Sequence, residues 1–103
     1  METVITRVTL NDGAESDWDA IMRDRMSAAE ASQGWIGGCI LEPVDERNAR
    51  LVLGLWETRE AWERWHRDPA FQETAERLKG LERDAGEGSW HDVLYAGGRL
   101  SAG

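Results

Sequence analysis

The sequence predicts a small α+β domain of order β-α-β-β-α-β, with one antiparallel sheet carrying its helices on one face. Three observations predict it. The hydrophobic period changes from two to near 3.6 and back along the chain. Helix-start signals stand at Asp12, Thr58 and Asp68. Residues 49–56, ARLVLGLW, are apolar on both faces of a strand, so something must cover each face.

Residues 3–10, TVITRVTL, make the first strand, dense in branched residues, with Thr6, Val8 and Leu10 alternating with Ile5, Arg7 and Thr9. Asn11-Asp12-Gly13 is turn chemistry, and Asp12 followed by Glu15 reads as a capping box. A helix is therefore expected from residue 13 or 14 to about Ser32. Its apolar face carries Trp18, Ile21 or Met22, the stem of Arg25, Ala28 or Ala29, and Ser32. Gln33-Gly34 ends it. Residues 35–42, WIGGCILE, form the second strand, where Gly37 and Gly38 imply a bulge or the close approach of something bulky. A polar turn from Pro43 to Asn48 leads into the third strand at 49–56, which the spacing of Trp35 and Trp56 pairs with the second as a hairpin.

Thr58 caps a short helix that sets Trp62 and Trp65 three apart on one face. Asp68 caps another, with Pro69 at the first helical position. This helix is expected over 69–83, burying Phe71, Ala75, Leu78 and either Leu81 or Glu82. Gly86-Glu87-Gly88 breaks the chain, 89–96 (SWHDVLYA) is the last strand, and 97–103 is a loose tail. The whole is the ferredoxin-like arrangement. Its helices cover one face, yet Leu51, Leu53 and Leu55 alternate with Val52, Gly54 and Trp56. A second copy packed sheet against sheet covers the other face, so a homodimer is expected.

At 103 residues the chain is one domain, spanning 1–103 with its core at about 3–96. A chain of this size buries about 65% of its unfolded surface, enough for one core and too little for folds of 200 residues. With 41% hydrophobic and 31% charged residues it is globular rather than disordered. A net charge of −8 argues against nucleic acid and anionic lipid as partners. No apolar run approaches the roughly 20 residues of a membrane span, and METVITRVTL does not read as a signal peptide. The cytoplasm is the expected location. Cys39 is the lone cysteine, a buried inert thiol by its setting. No His/Cys/Asp/Glu spacing resembles a zinc site and Gly37-Gly38 is no phosphate loop, so neither a metal nor a nucleotide cofactor is expected.

Six tryptophans, at 18, 35, 56, 62, 65 and 90, stand against one Tyr and one Phe. Bulky core filling is the plain reading. A roomy aromatic cavity or an aromatic subunit interface is the other, because indole N–H groups need partners and are costly to bury completely.

The stretch LVLGLWETREAWERWHRDPAFQETAERL, residues 51–78, joins a buried strand ending in Trp56-Glu57-Thr58 to an aromatic pair and a DPAF helix restart. With Asn11-Asp12-Gly13 and Gly34-Trp35-Ile36-Gly37, it resembles the antibiotic biosynthesis monooxygenase (ABM) family of the dimeric α+β barrel superfamily. The resemblance covers about residues 3–96. It implies several activities: cofactor-independent oxygenation, haem degradation, cyclisation or isomerisation. The haem-degrading pattern implied by the resemblance needs an Asn on the first strand, a Trp on the short helix and a His on the next. Trp65 matches the tryptophan, but Thr6 and Ala75 stand at the other two positions, and Ala75 offers iron no ligand. The oxygenase pattern implies a dry aromatic slot, a proton acceptor and an oxyanion donor for an anthrone-like or phenolic substrate, which is itself the reductant.

On that reading the expected catalytic residues are Trp65, His91, His66 and Thr6. Imidazole is the side chain best suited to proton transfer near neutrality. His91, on the last strand with Val93 and Tyr95, is a better candidate for the cavity than His66, which sits in the polar run Glu63–Asp68. Thr6 is a weak donor. Trp62, Arg25, Arg7, Tyr95 and Trp18 are expected to bind substrate. Arg7 faces away from Thr6, toward the expected dimer layer, where an interfacial ion pair is the plain reading. Arg25 either snorkels or anchors an oxyanion. The expected function is a cofactor-independent monooxygenase acting on a flat aromatic molecule. The alternatives are a cyclase or isomerase, a haem-binding or haem-degrading protein, and a non-catalytic dimer that binds a hydrophobic small molecule.

Overall fold

The computed structural model describes residues 1–99. It contains β1 (Glu2–Leu10), α1 (Glu15–Ala29), β2 (Trp35–Leu41), β3 (Ala49–Trp56), α2 (Arg59–His66), α3 (Pro69–Leu78), β4 (Glu82–Asp84) and β5 (Gly88–Asp92). β1 lies between β3 and the β4–β5 edge, and β2 forms the opposite edge, giving the order β2-β3-β1-β4 with β5 also on β1. Every pairing is antiparallel. The α+β, ferredoxin-like expectation holds. So does the β2–β3 hairpin, in which Trp35 stands opposite Trp56 and the register shifts between Trp35 and Gly37.

The caps on α2 and α3 are those the sequence predicts. The Ala61 N–H donates to Thr58 Oγ1 at 3.1 Å, and the Ala70 N–H donates to Asp68 Oδ1 at 2.8 Å. Helix α1 differs. Its N-cap is Ala14, with no side-chain cap, and it ends at Ala29 rather than Ser32. Gly13, at φ 81°, turns the chain so that Asp12 pairs instead with Arg83 at 3.3 Å.

The C-terminal third departs most from expectation. Helix α3 stops at Leu78, not residue 83, because Gly80 takes the left-handed conformation at φ 83° and a helix ends readily there. The residues freed form β4 against Thr9 and Leu10. The last strand begins at Gly88 and ends at Asp92, not Ala96, because its partner runs out: the final bond is from Val93 N–H to the Met1 carbonyl at 3.3 Å. β4 and β5 are successive halves of one edge. Gly86 separates them at φ 67°, and a Cβ there would lie 1.7 Å from the Arg7 carbonyl oxygen. Of the tail expected at 97–103, residues 100–103 lie outside the described residues.

Alternation along β1 sorts the sheet into two faces. Val4, Val8 and Leu10 are buried beneath the helices, and Thr6 lies among them, opposite Val52 and Gly88. One apolar cluster joins Val8 and Leu10 to Trp18, Ile21, Met22 and Leu78; a second joins Ala29, Trp56, Ala61 and Trp65. Arg50 ties α1 to the hairpin. It is 3% exposed, with Nε and Nη2 donating to the two oxygens of Asp19 at 2.9 and 3.1 Å and Nη1 donating to backbone carbonyls. On the other face Ile5, Leu51, Leu53 and Leu55 are only partly buried in the single chain.

Candidate functional site

Between the two apolar clusters, where the helices stand off the sheet, lies a cavity of about 450 Å³. Thr6, Val52 and Gly54 contribute from the sheet, Met22, Arg25 and Met26 from α1, Trp62, Trp65 and His66 from α2, and Phe71 and Ala75 from α3. Trp18, Trp35 and Trp56 also line it, so five of the six tryptophans meet there. The sixth, Trp90, backs Trp62 edge-on at 5.1 Å between ring centroids. Both readings of the six tryptophans are thus realised: five line the cavity, while Trp18, Trp56 and Trp65 are at the same time buried in the core.

The glycines of β2 explain part of the shape. A Cβ on Gly38 would lie 2.7 Å from the Trp35 ring and 2.9 Å from the Met26 methyl carbon. These are the bulky neighbours that the Gly37-Gly38 pair implies.

His66 closes α2 and turns its ring into the cavity wall, between aromatic neighbours. Its centroid is 3.7 Å from that of Trp62 and 4.1 Å from that of Phe71. Nδ1 lies 2.9 Å from the Trp62 carbonyl oxygen. A carbonyl only accepts, so Nδ1 carries the proton and Nε2 of the neutral ring holds a lone pair. Burial is the main influence lowering the His66 pKa below the ordinary imidazole value; the Trp62 carbonyl opposes it, and the positive charge of Arg25 assists it.

Arg25 reaches the cavity from α1. Its Nε donates to Thr74 Oγ1 at 2.8 Å, the Thr74 hydroxyl donates to the Phe71 carbonyl at 2.7 Å, and the guanidinium carbon lies 4.1 Å from the Phe71 ring centroid. Burial lowers its pKa to about 10, partly offset by the charge of Glu82, so it remains a cation at neutral pH. Glu82 is occupied by Trp18, whose Nε1–H donates to it at 2.9 Å.

The sequence-predicted residues therefore divide. Trp65, His66, Thr6, Trp62, Arg25 and Trp18 come together around the cavity. His91, Arg7 and Tyr95 do not. His91 is exposed opposite Thr3, on the face away from Trp90, so the preference for His91 over His66 is reversed: alternation on β5 sends Trp90 inward. Arg7 is exposed and pairs with Glu46 of its own chain. Tyr95 is 88% exposed beyond the end of β5. Phe71, Trp35, Met26, Thr74 and Glu82 belong to the site and were not among the expected site residues. Of these, Phe71 is legible as a buried position of the helix after Pro69, and Glu82 as an alternative to Leu81 on its buried side, though Glu82 reaches the site from β4 and not from that helix. Among the described residues no cluster of three His, Cys, Asp or Glu side chains is placed to hold a metal ion, and no helix is long and apolar enough to cross a membrane.

The sequence pattern of the family described as antibiotic biosynthesis monooxygenase matches residues 1–77. No curated protein matches the chain. Among solved structures, a Nitrosomonas europaea protein provisionally named an antibiotic biosynthesis monooxygenase superposes with a TM-score of 0.85 at 13% identity, covering 92% of this chain and 100% of that one. Rv0793 from Mycobacterium tuberculosis gives 0.81 at 15% identity, over 94% and 98% of the two chains. SnoaB from Streptomyces nogalater, described as a cofactor-independent oxygenase, gives 0.80 at 19% identity, over 92% and 94%. At these identities the structural likeness is one of fold.

Proposed function

The chain belongs to the antibiotic biosynthesis monooxygenase family, and from that premise we propose that it oxygenates a flat aromatic phenol or anthrone without a cofactor. The observation that carries this reading is His66: a neutral imidazole with Nε2 free of hydrogen-bond partners among the described residues, set in the wall of a tryptophan-lined cavity. Such a ring takes a proton from an activated C–H or O–H group. The electron-rich anion that remains gives one electron to dioxygen. Recombination of the radical pair forms a C–O bond; the resulting peroxide anion takes back the proton from His66, and the hydroperoxide so formed loses water, leaving a new carbonyl. The substrate supplies every electron, so one CH₂ and one O₂ become one C=O and one H₂O.

The walls serve that chemistry. Trp62, Trp65 and Trp18 hold a planar ring system and keep water from the anion. Thr6 donates from the sheet and Arg25 stabilises negative charge from α1. A homodimer through the apolar outer sheet face, centred on Ile5, Leu53 and Leu55, completes the reading. No cofactor takes part.

Oxygen uptake with 1,8-dihydroxyanthrone, wild type beside His66→Gln, tests the proposal. Uptake that the substitution abolishes supports it. Turnover without oxygen uptake transfers the cavity to cyclisation or isomerisation. Binding without turnover makes the protein a carrier. A saturating hemin complex lost in His66→Gln makes Nε2 an iron ligand instead.

A further inference from the structure

We infer that the molecule this cavity takes is an aromatic acid, whose carboxylate seats on the terminal nitrogens of Arg25. The inference rests on the reading of the cavity as an aromatic small-molecule site. It adds a second recognition group to the substrate, ionised before binding and separate from the group that His66 deprotonates.

The guanidinium is held in place rather than free. Thr74 fixes Nε, Phe71 fixes Thr74, and the Phe71 ring supports the guanidinium plane. With Nε taken, the side chain presents its Nη1 and Nη2 end, two parallel N–H bonds that match the two oxygens of a carboxylate. Among the described residues neither nitrogen has a hydrogen-bond partner, and no carboxylate lies within ion-pairing distance of Arg25. The other charged side chains of the wall are already engaged. Glu82 accepts from Trp18, and Lys79 pairs with Glu76 at 2.9 Å. The cavity thus holds a cation that no carboxylate touches, Glu82 acting on it only from a distance, among apolar rings where desolvation is costly.

A phenol, neutral at pH 7, offers one oxygen and brings that cation no charge until it is deprotonated. A carboxylate compensates it on entry and orients the ring toward His66, which shares Phe71 as a stacking partner with Arg25.

The experiment is a calorimetric titration of the full chain at pH 7 with 2-naphthoate, 2-naphthamide and 2-naphthol. The acid is expected to bind about tenfold or more tightly than the amide, the increment of one charge-assisted hydrogen bond. Arg25→Gln is expected to remove that gap, bringing the affinities of acid and amide together. Should this variant fail to fold, Thr74→Val narrows the gap by releasing Nε. Equal affinity for acid and amide overturns the inference, as does binding of neither. Oxygen uptake, measured separately with hydroxylated naphthoates and with the anthrone, separates the two proposals. An acid preference without any uptake keeps the anion seat and removes the oxygenase. Uptake with the neutral anthrone and no acid preference does the reverse.

Discussion

The His66 imidazole and the Trp62 carbonyl lie 2.9 Å apart within one turn of the same short helix, while the Trp62 ring stacks on the imidazole at 3.7 Å. One residue thus fixes both the tautomer and the plane of the other. The carbonyl assigns the proton to Nδ1, and the indole holds Nε2 at the cavity wall. A base prepared in this way keeps its lone pair without help from a carboxylate.

The pH dependence follows. Burial, the largest cause, places the His66 pKa below its ordinary value of 6.5. Activity that needs the neutral ring is expected to be flat through pH 7 and above and to fall along an acid limb below 6.5. In His66→Gln that limb disappears with the activity. Stability moves with it. The unfolded chain binds this proton more readily than the folded one, so the contribution is complete above pH 6.5 and is lost as pH falls toward the lower folded value. Urea midpoints of wild type and His66→Gln between pH 5 and 7.5 check the sign.

Trp65 and Trp62 should separate core from wall. Trp65 is 5% exposed and belongs to the cluster with Ala29, Trp56 and Ala61. Trp65→Ala is expected to cost about 3–5 kcal/mol in urea unfolding. Trp62 is only partly buried, so Trp62→Ala should cost less stability and show its effect as weaker ligand binding.

Gly86→Ala is expected to destabilise the protein by about 2 kcal/mol or more, measured by urea unfolding. The left-handed backbone disfavours any side chain, and the Arg7 carbonyl occupies the position of the new methyl group. Gly13→Ala, also at positive φ but with open space around it, should cost only about 1 kcal/mol.

Asp19→Ala leaves the buried Arg50 guanidinium without its bidentate partner, with Glu42 at 3.4 Å as the remaining carboxylate. A loss of about 3 kcal/mol is expected. Arg50→Met with Asp19→Asn should recover part of it, since an apolar side chain leaves no charge unpaired.

The proposed dimer is tested by Leu53→Glu. A charge at the centre of the outer sheet face should convert the species seen by sedimentation velocity from dimer to monomer, whereas Ala49→Ser, at a fully buried position near the sheet end, should not. A wild-type monomer at micromolar concentration would remove the dimer from the reading.

The order of elements through the first two-thirds of the chain is readable because its signals are local, although the Asp12 cap on α1 goes unused. Thr58 and Asp68 announce caps that the backbone uses, and ARLVLGLW carries its own two-sided alternation. The C-terminal third was not. Whether 79–84 continues a helix or turns back as β4 is decided by Gly80 and by the open edge of β1 at Thr9 and Leu10, a partner some 70 residues away in sequence. The end of β5 is likewise set by Met1 and Glu2.

By itself the sequence determined the element order as far as the helix after Pro69, the antiparallel hairpin and an apolar excess on the outer sheet face, and it left the six tryptophans open between core and cavity. Only the tertiary structure decided which imidazole meets the tryptophans. Strand alternation turns His91 away because Trp90 takes the inner face opposite Val4. The helical turn brings His66 inward because Trp62 and Phe71 offer it a stacked, partly dry slot. A side chain's direction follows from the periodicity of its element, but what it faces depends on packing across the fold, and no local pattern in the chain carries that information.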